Sequence, residues 1–433
     1  MTQKQLHVCW NGSLSKLVAA LVVAAVCIGA PASLVQADWP QWGGANQDFH
    51  SDSTGLARTW PSDGPPKIWS RDLGEGYSAV LAEGGRLFTM AQDGDDEIAL
   101  CLDAKTGQTV WEHRYPANVN EDHTTQFGSG PRGTPLLADG NLYTIGVSGR
   151  MHCLDAETGK VNWSHDLWDK FEGTFLNHGY SSSPMAYKDT IIVMVGGEGH
   201  ALIALNKKDG AVVWKKQDYG NSYSTPKVIN VDGEDQLVCF MANELVGLDP
   251  DNGELKWEIP HENQWKQNIT LPIWTEDNIL FFTSAQTGSK AVKLTQKDGK
   301  TEIEELWSTR KIRLHHNNCV RVGDFVYGTT GSQAPCFFMA VNIKTGEIAY
   351  RKRGFAKANC IYADKKFIVL DEDGNLALVT ATPEGLTVHS KVSMLEKVAW
   401  TVPTLDGKTL YIRDKHKLVA LDLSDPGKKT EES

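Results

Sequence analysis

Short runs of alternating apolar and polar residues recur along most of the chain, separated by turns rich in glycine, aspartate and asparagine. Such runs predict β-strands with one buried face, and the turns predict hairpins. One unit recurs in register: an apolar strand, a turn ending in glycine, and a strand ending in tryptophan. Its clearest copies are 99–111, 151–163, 202–214 and 245–257. The pattern indicates tandem repeats of about 45 residues.

Weaker copies of the unit follow at 293–307, 341–350, 379–388 and 418–427. A second hairpin signal precedes the copies, so each repeat should hold four short strands. Four-stranded repeats of this length are typical of β-propeller blades. The sequence therefore predicts an all-β protein.

The two ends of the repeat array set the blade count. The last copy stops before its fourth strand, whereas segment 66–70 carries Trp69 where the other fourth strands carry tryptophan. We expect this segment to pair with residues 419–421, which gives an eight-bladed β-propeller of four-stranded antiparallel blades closed by an N-terminal strand. Seven blades is the alternative if 379–388 is not a blade edge. The recurring tryptophans should pack between blades over the turn glycines.

The first 37 residues differ from the rest. They contain Lys4 and Lys16, no acidic residue, an apolar run at 17–28 and a small residue at Ala37. This pattern predicts a signal peptide over 1–37 and a periplasmic or secreted protein. An uncleaved membrane anchor and a lipid anchor at Cys27 are the alternatives. We expect a lead segment at 38–64, the propeller at 65–425 and a disordered tail at 426–433.

The formal net charge of −11 argues against nucleic acid as a partner. No segment after the signal is long and apolar enough to span a bilayer. Six cysteines follow residue 37, without a recognisable disulfide framework, and a Cys319–Cys360 bond is left open.

Metal ligands are sparse in the sequence. Acidic loops at 93–97 and 371–375 fall where hairpin tips are expected, so we favour turns over calcium sites. His315 and His316 are adjacent, and neighbours on a strand face opposite sides. We therefore expect no metal site.

Residues just before each innermost strand should line the mouth of the central channel. This register predicts a ring of polar, aromatic and cationic side chains: Tyr77, Arg132, Tyr180, Tyr223, His315, His316, Lys357, Asn359 and Trp400. Such a ring suits a small anionic or sugar-like ligand. A solvated funnel without a ligand is the alternative.

The repeat resembles the pyrroloquinoline-quinone (PQQ)-like β-propeller repeat, with its A-x-D-x-x-T-G-x-x-x-W core, and residues 38–43 resemble the opening of exported planctomycete-type propellers. The resemblance implies either a quinoprotein dehydrogenase holding PQQ and Ca²⁺ in the channel or a BamB-like scaffold. The dehydrogenases typically carry adjacent cysteines, which this chain lacks. We therefore expect a monomeric, non-catalytic binding or scaffold protein with protein partners in the cell envelope. A PQQ-dependent alcohol or sugar dehydrogenase is the alternative.

Overall fold

The computed structural model describes residues 39–117, 122–331 and 335–425. The predicted signal peptide and C-terminal tail lie outside these residues. Within them, thirty-two strands form eight four-stranded antiparallel sheets. Seven sheets follow the order of the chain, and the eighth joins the first strand to the last three. This arrangement confirms the eight-bladed propeller.

The first four blades are built from consecutive strands. Blade 1 has β2 (Leu81–Glu83), β3 (Arg86–Asp93), β4 (Asp96–Asp103) and β5 (Thr109–Pro116), and blade 2 has β6 (Leu136–Ala138), β7 (Asn141–Ile145), β8 (Arg150–Asp155) and β9 (Val161–Asp166). Blade 3 has β10 (Met185–Tyr187), β11 (Thr190–Met194), β12 (Leu202–Asn206) and β13 (Val212–Lys216), and blade 4 has β14 (Lys227–Val231), β15 (Glu234–Phe240), β16 (Glu244–Leu248) and β17 (Leu255–Pro260).

The next three blades repeat this order, and the last is shared by the chain ends. Blade 5 has β18 (Ile273–Trp274), β19 (Ile279–Ser284), β20 (Gly288–Lys297) and β21 (Lys300–Thr309), and blade 6 has β22 (Cys319–Val322), β23 (Phe325–Thr330), β24 (Phe337–Asn342) and β25 (Ile348–Lys352). Blade 7 has β26 (Ala358–Ala363), β27 (Lys366–Asp371), β28 (Asn375–Thr382) and β29 (Gly385–Ser393), and blade 8 has β30 (Thr404–Asp406), β31 (Thr409–Arg413) and β32 (Lys417–Asp422), completed by β1 (Lys67–Asp72).

Blade 7 contains the weak 379–388 repeat as the hairpin between β28 and β29, which rules out the seven-blade alternative. One short helix, α1 (Leu167–Phe171), lies between blades 2 and 3. Of the helices in the described ranges, none has the length and apolar character to cross a bilayer. Cys319 and Cys360 are both buried and are not joined by a disulfide.

The hydrophobic core lies between neighbouring blades, around their three inner strands. In blade 3, β12 is buried along most of its length, whereas β13 exposes every residue except Trp214. The outermost strand has a neighbouring strand on one side only, so it keeps one buried anchor and exposes its other side chains, apolar Val212 and Val213 among them.

The buried tryptophan of an outermost strand packs on the following blade. The indole of Trp111 lies against Gly159, and its Nε1 donates to Ala156 O at 3.0 Å. A Cβ at Gly159 would come within 2.6 Å of the indole, so only glycine fits beneath it. The same stack joins these other pairs: Trp69 with Gly107, Trp163 with Gly210, Trp214 with Gly253, and Trp307 with Gly346.

Trp257 departs from this predicted stacking. Its indole lies over Gly247 on the paired strand of its own blade, and Nε1 donates to Gln236 Oε1 at 2.6 Å. The next turn glycine, Gly299, has no atom within contact distance of its Cβ position. The cause is the long β20–β21 hairpin, which carries that turn away from the neighbouring blade.

Candidate functional site

A cavity of about 400 Å³ lies at the axis of the ring. Its wall is formed by the segments that precede the innermost strand of each blade, as the sequence register predicted. Every blade contributes at least one lining side chain; in blade order these include Tyr77, Arg132, Ser181, Tyr223, Gln267, His315, Lys357 and Trp400.

Seven of the nine predicted site residues line this cavity, and two do not. Tyr180 is fully buried and packs against Trp168, with ring centroids 6.0 Å apart. Asn359 is also buried, and its Nδ2 donates to Trp400 O at 2.6 Å while its Oδ1 accepts from Asn318 N at 2.9 Å. The expectation that these two side chains face the mouth was wrong, because each turns into the blade interface.

Two cations stand in the cavity wall. Arg132 Nη2 donates to Gly128 O at 2.9 Å, and the guanidinium lies 5.9 Å from the centre of the Tyr77 ring. Burial lowers the pKa of Arg132, which remains a cation. Lys357 Nζ lies 5.7 Å from the Trp400 ring and 3.5 Å from Glu372 Oε2. Each cation is therefore placed against an aromatic face.

Histidines occupy the wall between these cations. Burial, with the Lys357 charge second, lowers the pKa of His315 to about 4. The same causes lower the pKa of His316 well below its ordinary value. Both rings are neutral near pH 7, and each has one ring nitrogen, Nδ1 of His315 and Nε2 of His316, without a hydrogen-bond partner.

The sequence argument about these two histidines needs correction. They lie in a bend before β22 rather than on the strand, so both rings reach the same cavity. Their centroids are 4.9 Å apart, and His316 lies 4.4 Å from the Trp400 ring. Across the described residues there is nonetheless no group of three or more His, Cys, Asp or Glu side chains arranged to hold a metal ion.

The lead segment before the first strand forms part of the cavity surface, which the sequence did not indicate. Trp42 and Phe49 line the cavity and meet edge to face, with centroids 5.6 Å apart. Phe49 is almost fully buried and also lines a second cavity of about 360 Å³. The segment therefore lies between the two cavities.

Backbone and side-chain hydrogen bonds attach this segment to inner strands of several blades. Leu137 N donates to Pro40 O at 2.8 Å in blade 2, and Tyr362 N donates to Phe49 O at 2.9 Å in blade 7. In blade 4, the buried Lys227 Nζ donates to Gln47 O at 2.8 Å. These contacts on separate blades show that residues 39–51 cross the channel.

Two further lining residues come from long inter-blade loops. Phe127 contributes its ring and accepts a hydrogen bond from the Tyr77 hydroxyl at its carbonyl oxygen. His178 lies 5.9 Å from the Tyr223 ring, and Tyr223 Oη donates to Asn177 Oδ1 at 2.7 Å. A register argument built on the strands has no signal for such loop residues.

The charge of the cavity lining is set by the residue types that form it. Among the described residues that line the cavity, one is arginine, one is lysine, three are histidines and none is aspartate or glutamate. The carboxylate of Glu372 lies behind the lining, where it pairs with Lys357 and accepts a hydrogen bond from Trp400 Nε1 at 3.1 Å. The cavity therefore combines aromatic walls with the charge of Arg132 and with a Lys357 that is ion-paired to Glu372 behind the lining.

Comparisons with known proteins agree with this architecture. The family model described as outer membrane protein assembly factor BamB matches residues 94–352. Outer membrane protein assembly factor BamB of Salmonella typhimurium is 22% identical over 71% of this chain and 76% of its own length. Quinoprotein alcohol dehydrogenase PedH of Pseudomonas putida is 32% identical, but over only 30% of this chain and 23% of its own length.

A solved structure extends the comparison to the fold. Quinohemoprotein alcohol dehydrogenase from Comamonas testosteroni superposes with a TM-score of 0.62 at 15% identity, covering 92% of this chain and 82% of that one. At this identity the likeness concerns the fold alone. The family model covers more than half of the sequence and coincides with the repeats. The chain therefore belongs to the PQQ-like β-propeller family that includes outer membrane protein assembly factor BamB.

Proposed function

We propose that this chain is an exported, non-catalytic binding protein whose axial cavity receives a small organic anion. The observation that carries the proposal is the pairing of Arg132 and Lys357 with aromatic walls in a lining without a described carboxylate. A cavity that removes water from two cations strengthens their attraction for an anion. Aromatic faces beside each cation favour a ligand with a flat apolar body.

The neutral histidines add directional contacts. Because their pKa values lie below the ordinary range, His315 and His316 add no charge near pH 7 and can each offer a nitrogen as hydrogen-bond donor or acceptor. Gln267 Oε1 lies 3.2 Å from His315 Nε2, which orients that ring. Charge would come mainly from Arg132, because Lys357 already lies beside Glu372, and specificity would come from the neutral groups.

The calcium ion of quinoprotein dehydrogenases does not suit this lining. Calcium takes six to eight oxygen ligands, with carboxylates prominent among them. The side chains of the described lining supply only hydroxyl and amide oxygens, at scattered positions. A PQQ–calcium pair therefore does not fit this site.

A scaffold role in the cell envelope is compatible with anion binding. The similarity to the Salmonella assembly factor extends over most of both chains, whereas the quinoprotein match spans about a quarter of that relative. This breadth supports a protein that binds partners through its faces. We expect it to act as a monomer.

A PQQ-dependent alcohol or sugar dehydrogenase is the second candidate. The higher local identity to the quinoprotein alcohol dehydrogenase is the observation that favours it. PQQ is itself a flat organic anion, so binding of the free quinone would fit either function. Turnover separates the two candidates.

Isothermal titration of the chain without its signal peptide tests the proposal. The probes are citrate, naphthalene-2,6-dicarboxylate and PQQ, each with and without Ca²⁺. We expect at least one flat anion to bind without calcium, and Arg132→Gln or Lys357→Gln to weaken binding about tenfold. Lys188→Gln, an exposed cation on another surface, should bind like the parent chain.

Two outcomes would overturn the proposal. If anion binding is unchanged in both cavity variants, the anion does not bind in the axial cavity. Reduction of an artificial electron acceptor by alcohols or sugars in the presence of PQQ and Ca²⁺ would replace the non-catalytic function by the dehydrogenase.

A further inference from the structure

Six exposed cations gather where the outer strands of blades 5 and 6 end. They follow Trp307 in blade 5 and Tyr350 in blade 6, the two positions equivalent to the repeat tryptophan. The basic patch consists of Arg310, Lys311, Arg313, Arg351, Lys352 and Arg353, and each of these side chains is exposed.

Contacts within the patch join the two blades. Arg351 Nη2 donates to Lys311 O, and Arg313 Nε donates to Arg310 O at 2.9 Å. Arg353 lies 5.5 Å from the centre of the Phe337 ring. These partners are carbonyl oxygens and an aromatic face, which orient the guanidinium groups and leave their charges uncompensated.

The outer strand that precedes the blade 5 cations carries carboxylates with their own cationic partners. On that strand, β21, Glu305 pairs with Lys290 at 3.2 Å, and Glu302, near the hairpin tip, pairs with Lys297 at 3.1 Å. Within the described parts of the chain, no ion pair joins any of the six patch cations to a carboxylate.

Several other exposed lysines of this acidic chain are ion-paired. Lys188 pairs with Asp251 at 2.7 Å, and Lys397 pairs with Asp373 at 2.7 Å. With a formal net charge of −11, carboxylates are abundant on this protein. Six neighbouring cations that have no carboxylate partner create a local positive field, and such a field attracts an anionic partner.

We propose that the basic patch binds an acidic, extended segment of a partner protein. A narrow segment can contact the patch alone, whereas a broad anionic surface such as a membrane would also face the acidic remainder of the chain. Four of the six cations are arginines, whose planar forks bind carboxylates through two parallel hydrogen bonds. The patch lies at the ends of the outer strands and shares no residue with the axial cavity, so this test is independent of the axial anion site.

The test uses a fluorescein-labelled peptide of alternating glutamate and serine, measured by fluorescence anisotropy with the chain lacking its signal peptide. The patch variant is R351E together with K352E. Its matched control is K215E together with K216E, which makes the same charge change at the equivalent positions of β13. Thermal unfolding verifies that both variants fold. If the R351E/K352E variant does not fold, the R351Q/K352Q variant replaces it.

We expect the patch variant to bind about tenfold more weakly than the parent chain and the control less than about twofold more weakly. Added NaCl should weaken parent binding because the contact is between exposed charges. Equal losses in both variants, or no binding of the peptide by the parent chain, would overturn the proposal. So would tighter binding to phosphatidylglycerol vesicles than to the peptide, which would assign the patch to a lipid surface.

Discussion

Trp69 and Ala420 are cross-strand neighbours in one sheet, although they lie at opposite ends of the propeller sequence. Trp69 also reaches the first blade: its indole lies on Gly107, and Nε1 donates to Ala104 O at 2.9 Å. One side chain thus connects the strand that completes blade 8 with blade 1. The ring is closed by main-chain pairing on one side and by this indole on the other.

Replacing Trp69 by alanine should therefore destabilise the whole ring. Loss of a packed tryptophan costs about 3 kcal/mol in the free energy of unfolding. Trp265→Ala is the control, because that indole is 53% exposed and should change stability by less than about 0.5 kcal/mol. Urea unfolding followed by circular dichroism measures both, and equal effects would contradict the closing role of Trp69.

The glycine beneath each tryptophan can be tested with a matched pair. Gly159 and Gly140 have nearly the same backbone angle, φ of 73° and 72°, so alanine at either pays a similar conformational cost of about 1 kcal/mol. Only at Gly159 would the new Cβ meet an indole, that of Trp111. We expect Gly159→Ala to lose about 2 kcal/mol more than Gly140→Ala in thermal unfolding. Equal losses would show that the stack tolerates a side chain.

Glu97 should make stability depend on pH. Its carboxyl is buried, Oε1 accepts from Val147 N at 2.8 Å, and burial raises its pKa to about 7. The folded state then holds a proton that the unfolded state releases at its ordinary, lower pKa. The stabilising contribution is complete below that ordinary pKa and disappears as the pH rises through about 7.

Glu97→Gln removes this titration while keeping an oxygen for Val147 N. Relative to the parent chain, the variant should gain on the order of 2 kcal/mol in unfolding free energy between pH 5 and pH 8. Other groups, including the histidines, titrate in both proteins and cancel in the difference. A difference in unfolding free energy that does not change across this range would contradict the burial of an ionisable Glu97.

Phe49 should support both the fold and the cavity. It is 3% exposed and lines the axial cavity and the second cavity. Phe49→Ala should cost about 3 kcal/mol in unfolding free energy and weaken binding of any axial ligand, because it removes part of the lining. Phe175→Ala, at a ring that is 45% exposed, is the control for both measurements. If the Phe49→Ala variant binds the ligand as tightly as the parent chain does, the lead segment does not contribute to the binding site.

Much of the site could be predicted because the ring repeats. Each blade places the residues before its first strand at the axis, so a register taken from the repeats finds Tyr77, Arg132 and Trp400 without coordinates. Register locates a backbone position and does not fix the direction of a side chain. Tyr180 and Asn359 satisfy the register and still turn into the blade interface. His315 and His316 lie in a bend, where the alternation of a strand does not apply.

By itself, the sequence determined the propeller, its eight blades, the tryptophan–glycine stacks except that of Trp257, and the pairing of the chain ends. These features rest on short-range alternation and turn residues, which repeat and therefore reinforce one another. Only the tertiary structure decided that residues 39–51 cross the channel, that the described cavity lining lacks carboxylates, and that cations from two blades form one surface. The lead segment has no repeat to set its path, and the cavity and the patch arise from residues that are close in space and distant along the chain.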